Sequence, residues 1–343
     1  MTQITAFSAL SPLIGGCDGL IGASQAGPVE SGAMRATFAH ARGRATQGWH
    51  KLRWGAGIVG AGPAAVGVAR LTALRLSRSS YAHAHLRCGV TVGFEVPAQV
   101  PPALVVFRTL IDPEYAFLDA IGCAGIVLDV GAAIGQFTLF AAQHDDALVH
   151  AFEPSGRNVA TLQRNLAENG LVERVHVHHI ALADWDGEQE FVTQGNTYLS
   201  RPDAGDAPGA LAERVPVRAL DGVCAELGLD RIAVLKVNVA GFEPVVLAGA
   251  QTLLARGAIA VMVLLIGERS IAWYERCAGW GYRFFFYDPA ARALHELGEL
   301  TLDALEHPPS PARHVLAIHE GAIADGRLGA IPIVAQRHRP RVS

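Results

Sequence analysis

The sequence predicts an α/β protein: a mostly parallel sheet with helices on both faces. Three observations carry that expectation. From about residue 126 onward, short apolar runs alternate with segments of helical period. The connections between them are short, as in stacked strand–helix–strand units. One of the turns, Gly131-Ala-Ala-Ile-Gly135, joins an apolar run to a helical segment through two glycines, the arrangement that lets backbone approach a bound ligand.

The elements follow in order. Val90–Val96 and Ala103–Phe107 read as short strands around a proline-rich turn over 97–102. Asp112 then caps a helix running to Ile121, with Pro113 at its first position. Strands are expected at 126–130, 148–153, 175–180, 232–238, 259–266, 282–287 and 314–319. Helices are expected near 134–143, 155–169, 219–227, 243–255 and 270–279. The stretch 288–312 lacks a clear crossover helix, so one of the last two strands is expected to run antiparallel.

Composition divides the chain into three. Half of its 343 residues are apolar and 17% are charged, which implies a substantial core. Between Glu30 and Glu95 there is no acidic residue, while basic residues recur from Arg35 to Arg87. Residues 1–88 therefore read as a basic, partly helical or disordered extension. Peripheral membrane contact through 35–87 is the less favoured reading, because the charges are dispersed. Pro63, Arg70 and Arg75 interrupt 55–76 and make it a poor membrane span. Residues 89–320 form the compact domain, and 321–343 are expected to be a loose tail. The net charge of −4 argues against nucleic acid as a partner. Five scattered cysteines suggest neither zinc nor a disulfide framework, and a reducing cytoplasm is the expected location.

The candidate site grows from the glycine turn. Gly131 and Gly135 let the backbone fold tightly, with Ala132 and Gln136 alongside. Asp129 precedes the turn, where a carboxylate can orient amides or meet an ammonium group. Glu153 ends the next apolar strand, about 20 residues on, where two acceptor oxygens suit a ribose diol. Pro154 follows it, and Asn158 lies near enough to support it. The Gly-x-x-x-Gly spacing differs from that of pyrophosphate binders and points to S-adenosylmethionine. Ile58-Val-Gly-Ala-Gly-Pro-Ala-Ala65 imitates a flavin motif, but it lacks a preceding strand and a following acid. His176 and His178 share one face of a strand, without a carboxylate beside them to complete a metal set.

These residues resemble the FkbM-type S-adenosylmethionine-dependent methyltransferases. The likeness runs through Asp129–Thr138, Ala151–Pro154, Leu162–Asn169, Ala181–Asp184, Leu220-Asp221, Leu235–Ala250 and Val315–Ile318. It implies a class I methyltransferase (Rossmann-like) fold, with a seven-stranded, mostly parallel sheet and an antiparallel hairpin at its edge. It also implies O-methylation of a hydroxyl on a sugar, glycan or natural product. By position Asp129, Gly131, Ala132, Gly135 and Glu153 would hold the cofactor, and Ala181 and Leu182 would border its adenine.

Four departures from the family pattern remove polar groups. Ala133 stands where Asn is usual, Asn238 where Asp is expected, and Ala240 where Glu is expected. Leu264-Leu-Ile266 occupies a stretch where an acid is common. Lys236, Asn238 and Glu243 are the remaining candidates for catalysis, although Asn238 cannot accept a proton. The alternative is therefore a methyltransferase-like binding module with impaired catalysis. The acceptor and the oligomeric state stay open.

Overall fold

The computed structural model describes residues 50–193, 200–201, 211–239, 241–306, 308 and 312–335. They fall into two compact units, which part between Ile111 and Asp112. The expected boundary at 88/89 lies earlier, between the two strands of a hairpin and before the helix that completes the first unit. Most of the basic extension, residues 1–49, lies outside the described residues.

The first unit begins with helical residues 50–59 (α1), followed by α2 (Ala61–Leu76). The glycines of 58–65 thus join two helices rather than a strand and a helix. A hairpin follows, β1 (Tyr81–His85) against β2 (Thr91–Glu95). Pro102–Phe107 is a helix, α3, and not the expected strand. Proline at its first position favours helix entry, and a short apolar run does not distinguish strand from helix by periodicity. Arg70 Nη1 on α2 donates to Val105 O on α3 at 3.0 Å, and Trp54 Nε1 donates to Ile111 O at 2.8 Å. No helix among the described residues is long and apolar enough to cross a membrane.

The second unit opens with α4 (Pro113–Ile121), β3 (Gly125–Val130), α5 (Gln136–Ala142), β4 (Ala147–Phe152) and α6 (Gly156–Glu168). Then come β5 (Val175–His178), β6 (Ala181–Ala183), β7 (Gly187–Thr193), β8 (Ser200–Arg201) and β9 (Leu211–Ala219). The chain continues through α7 (Leu220–Leu227), β10 (Ile232–Val237), α8 (Glu243–Ala248), α9 (Gln251–Ala255), β11 (Ile259–Leu265) and α10 (Ile271–Gly279). It closes with β12 (Tyr282–Asp288), β13 (Ala293–Glu296), α11 (Leu302–Glu306), β14 (His314–His319), α12 (Glu320–Ala324) and β15 (Ile333–Ala335).

The seven strands expected between 126 and 319 are present, and among the described residues the main sheet has nine, in the order β15-β13-β12-β14-β11-β10-β3-β4-β5. From β5 to β11 the pairs are parallel, and β14 runs antiparallel to both β11 and β12. β13 and β15 extend the edge. The tail expected to be loose from 321 therefore contributes a helix and an edge strand; residues 336–343 lie outside the described residues. A second sheet has the order β6-β9-β7-β8. The glycines and prolines at 195, 202, 205, 208 and 209 lie outside the described residues.

The central strands are buried on both faces, so they read as unbroken apolar runs. Val127, Leu128, Val234, Leu235 and Val261–Leu264 are sealed from solvent. Strand order reverses between β3 and β10. Such a switch point opens a crevice beyond the carboxyl ends of the strands, and the candidate residues gather there.

Candidate active site

Two glycines shape the turn after β3. Gly131 has φ +79°, and a Cβ on it would lie 2.3 Å from the Asn238 carbonyl oxygen. Gly135 has φ +94°, and a Cβ there would lie 2.4 Å from Leu162 Cδ1. Neither position tolerates a side chain. The amides of Gly131 and Ala132 donate to Phe152 O at 3.0 and 3.1 Å, tying the turn to the end of β4. Ala133 also has positive φ, +49°. Asparagine adopts that conformation more readily than alanine, which gives the departure from the family pattern a backbone cost. Asn165 Nδ2 donates to Ile134 O at 2.8 Å and holds the turn from α6.

Glu153 is the second anchor. Its Oε2 accepts from Ala133 N at 2.9 Å, and its Oε1 accepts from Ser155 N at 3.0 Å and Asn158 Nδ2 at 3.1 Å. Burial raises its pKa, and those three bonds oppose the rise. Oε2 accepts one bond and keeps acceptor capacity for a ligand hydroxyl. Asn158 thus supports Glu153 as expected from its spacing. Pro154 offers its carbonyl to His179 Nε2 at 3.0 Å.

Asp129 does not address the turn amides. Strand register sets it directly beside Lys236, and its Oδ1 lies 2.8 Å from Lys236 Nζ. Thr138 Oγ1 donates to Oδ2 at 2.6 Å. The Lys236 ammonium is buried and lies 5.3 Å from the centre of the Phe137 ring. The lysine is an internal counter-ion rather than a side chain reaching for solvent from a strand end.

The remaining candidates take local roles. Glu243 accepts from Val239 N at 2.9 Å and Gly241 N at 2.8 Å, so its carboxylate braces the loop entering α8. Asn238 is half-buried, and its amide donates to Val130 O at 3.1 Å. Ala240 lies outside the described residues. Gln136 Nε2 donates to the Tyr115 hydroxyl at 2.9 Å. Ala181 and Leu182 are buried in β6, away from the main sheet's hydrogen-bond ladder.

His150 Nδ1 and His178 Nε2 lie 3.0 Å apart, and His176 packs against His150. Burial and then the neighbouring histidines lower the His150 pKa to about 4, and burial lowers that of His178. Both shifts favour the neutral form of the His150 and His178 rings. Among the described residues no group of three or more His, Cys, Asp or Glu side chains could hold a metal.

Reasoning from the sequence missed Tyr115, Glu114, Thr138 and His314. Tyr115 is buried against Phe137 and Phe140. Burial, and then the Glu114 and Asp112 carboxylates, hold its phenol well above the usual range. Glu114 approaches His314 at 2.7 Å. Only the capping signal at Asp112-Pro113 pointed toward this helix, and it carried no hint of the partners.

Residues 129–298 match the family model described as the methyltransferase FkbM domain. The chain is similar to 31-O-demethyl-FK506 methyltransferase FkbM of Streptomyces tacrolimicus, 32% identical over 156 residues, with 37% of this chain and 59% of that protein covered. It is also similar to AMB antimetabolite synthetase AmbE of Pseudomonas aeruginosa, 32% identical over 161 residues, with 36% of this chain and 8% of that protein covered. The chain thus spans less than two thirds of either relative. A crystal structure of methyltransferase FkbM from Methylobacillus flagellatus shares 16% identity at a TM-score of 0.37, over 57% of this chain and 44% of that one. The segment 129–298, with the glycine turn, Glu153 and the end of β10, thus carries the match to the methyltransferase FkbM domain.

Proposed function

We propose that the protein is an S-adenosylmethionine-dependent O-methyltransferase acting on a hydroxyl of a sugar, glycan or natural product. The observation that carries this reading is Glu153, poised at the end of β4 and bonded to Ala133 of the glycine turn at 2.9 Å. One carboxylate thereby joins the two halves of an adenosine cradle. The residues fit the cofactor: Glu153 retains acceptor capacity for a ribose hydroxyl, and no side chain projects from Gly131 or Gly135. When bound, the cofactor supplies an electrophilic methyl group. The chain's own part is positioning, which can supply most of the rate of such a displacement.

The similarity to 31-O-demethyl-FK506 methyltransferase FkbM, whose name places its methyl group on an oxygen, supports a hydroxyl acceptor. The net charge of −4 favours a small-molecule or glycan acceptor over nucleic acid. Calorimetry with S-adenosylmethionine tests the first half; absence of heat at millimolar cofactor with folded protein sinks it. Asn238 motivates the second reading, a binding module with impaired catalysis. That reading expects Asn238→Asp together with Ala240→Glu to raise activity or cofactor affinity, and no change in either counts against it.

A further inference from the structure

One polar pair in the second unit has no part in holding the turn. Glu114 lies in the first turn of α4, with Oε1 2.7 Å from Nδ1 of His314, the first residue of β14. The two side chains are only 5% and 8% exposed. Even so, Glu114 Oε2 and both ring nitrogens have no hydrogen-bond partner among the described residues. The 2.7 Å approach is at ion-pair distance without the alignment of a formed hydrogen bond. Active-site bonds often tighten only in the substrate complex. A buried polar atom without a partner is costly, so the pair calls for an explanation beyond packing.

Register places the pair at the crevice. Lys236 on β10 is level with Val263 on β11, and Leu265 on β11 is level with His314 on β14. Side chains alternate along a strand, so His314 points to the same sheet face as Lys236 and Asp129. It stands two residues nearer the carboxyl end of β11 than the Lys236 level, and two strands across. At roughly 4.8 Å per strand that offset is on the order of 10 Å, within the span of a small acceptor. The Tyr115 phenol feels both the Glu114 and the Asp129 carboxylates, which ties the pair to the same pocket of charge.

The other candidate bases are engaged. Asp129 is bound by Lys236 and Thr138, Glu153 by three donors, and Glu243 by two backbone amides. Burial keeps the Tyr115 phenol protonated. Resting on the O-methyltransferase reading above, we propose that Glu114 and His314 are the proton-accepting pair of the reaction. His314 Nε2 takes the acceptor's hydroxyl proton, while Glu114 orients the ring and stabilises the imidazolium. As the acceptor oxygen bonds to the methyl carbon, the methyl–sulfur bond breaks and its electrons stay on sulfur, leaving a neutral thioether. The pair supplies what Asn238 cannot.

Two measurements on the full chain test this. In ¹⁵N-histidine NMR, with and without S-adenosylmethionine, His314 is expected as the neutral tautomer with its proton on Nδ1 and Nε2 bare. Glu114→Gln should shift that tautomer balance. A wild-type ring protonated on Nε2, or a balance indifferent to Glu114→Gln, overturns the assignment without any need for turnover. The second measurement is methyl transfer from labelled S-adenosylmethionine to methyl α-D-glucopyranoside and glycerol. His314→Gln should lower kcat by about 10²–10⁴-fold, Glu114→Gln by a smaller factor, and neither should change cofactor affinity by calorimetry. Wild-type kcat in His314→Gln overturns the proposal. Cofactor binding without transfer to either alcohol counts instead against the hydroxyl-acceptor reading, and the NMR result still decides the pair.

Discussion

The two halves of the crevice treat their carboxylates differently. On the β3–β4 side the candidate acids are bonded at both oxygens: Asp129 holds an ammonium and a hydroxyl, and Glu153 holds two amides and a side-chain nitrogen. Glu243 likewise closes on two amides of its own loop. On the β14 side Glu114 and His314 are as deeply buried but under-bonded. Saturated buried charges rigidify a scaffold, whereas under-bonded ones store free energy that a ligand can release. The difference separates groups that build the site from groups left able to act in it.

The sharpest way to break that contrast is to remove the lysine. Lys236→Met leaves Asp129 buried with only Thr138, and unfolding in urea should show a loss of about 3–5 kcal/mol. A loss below about 1 kcal/mol, the range of an exposed pair, would show that the ion pair does not brace the strands. Next in size is Gly131→Ala. Its Cβ would meet the Asn238 carbonyl at 2.3 Å in a left-handed backbone, so a loss on the order of 3 kcal/mol is expected in the same assay. Stability equal to that of the parent would mean that the turn and the end of β10 separate freely.

The β14 side should respond with the opposite sign. Glu114→Leu combined with His314→Leu removes three unpartnered buried atoms, and thermal or urea unfolding should show a gain of about 1–3 kcal/mol. Destabilisation of similar size would place the pair among the structural ion pairs. The smallest expected effect is at the turn itself. Ala133→Gly relieves a left-handed alanine at φ +49° and should stabilise by about 0.5–1 kcal/mol, offset in part by the added freedom of the unfolded chain.

Much of this architecture is legible along the chain. The central strands are readable because burial on both faces makes them almost wholly apolar, and the glycine turn because tight backbone approach excludes side chains. Asn158 follows from Glu153 by helical spacing. Other elements carry no such signature. Ala103–Phe107 has the same apolar texture as a strand, yet it forms a helix entered at Pro102 and bonded to α2 through Arg70. The strands β7 and β9 hide in a polar, proline-containing stretch that pairs with itself. β15 gains its extended form from pairing with β13.

The proposed cofactor cradle is thus a property of local sequence: short-range spacing dictates turn geometry, and turn geometry dictates what can approach. The assignment of charges is not. Asp129 looked free to orient amides until strand register set Lys236 beside it, and Glu114 had no visible role until β14 brought His314 to it. Pairing of buried charges is a matter of distance in space. Sheet order alone decides which strands are neighbours, so the tertiary structure, rather than any motif, determines which carboxylates are occupied and which is not.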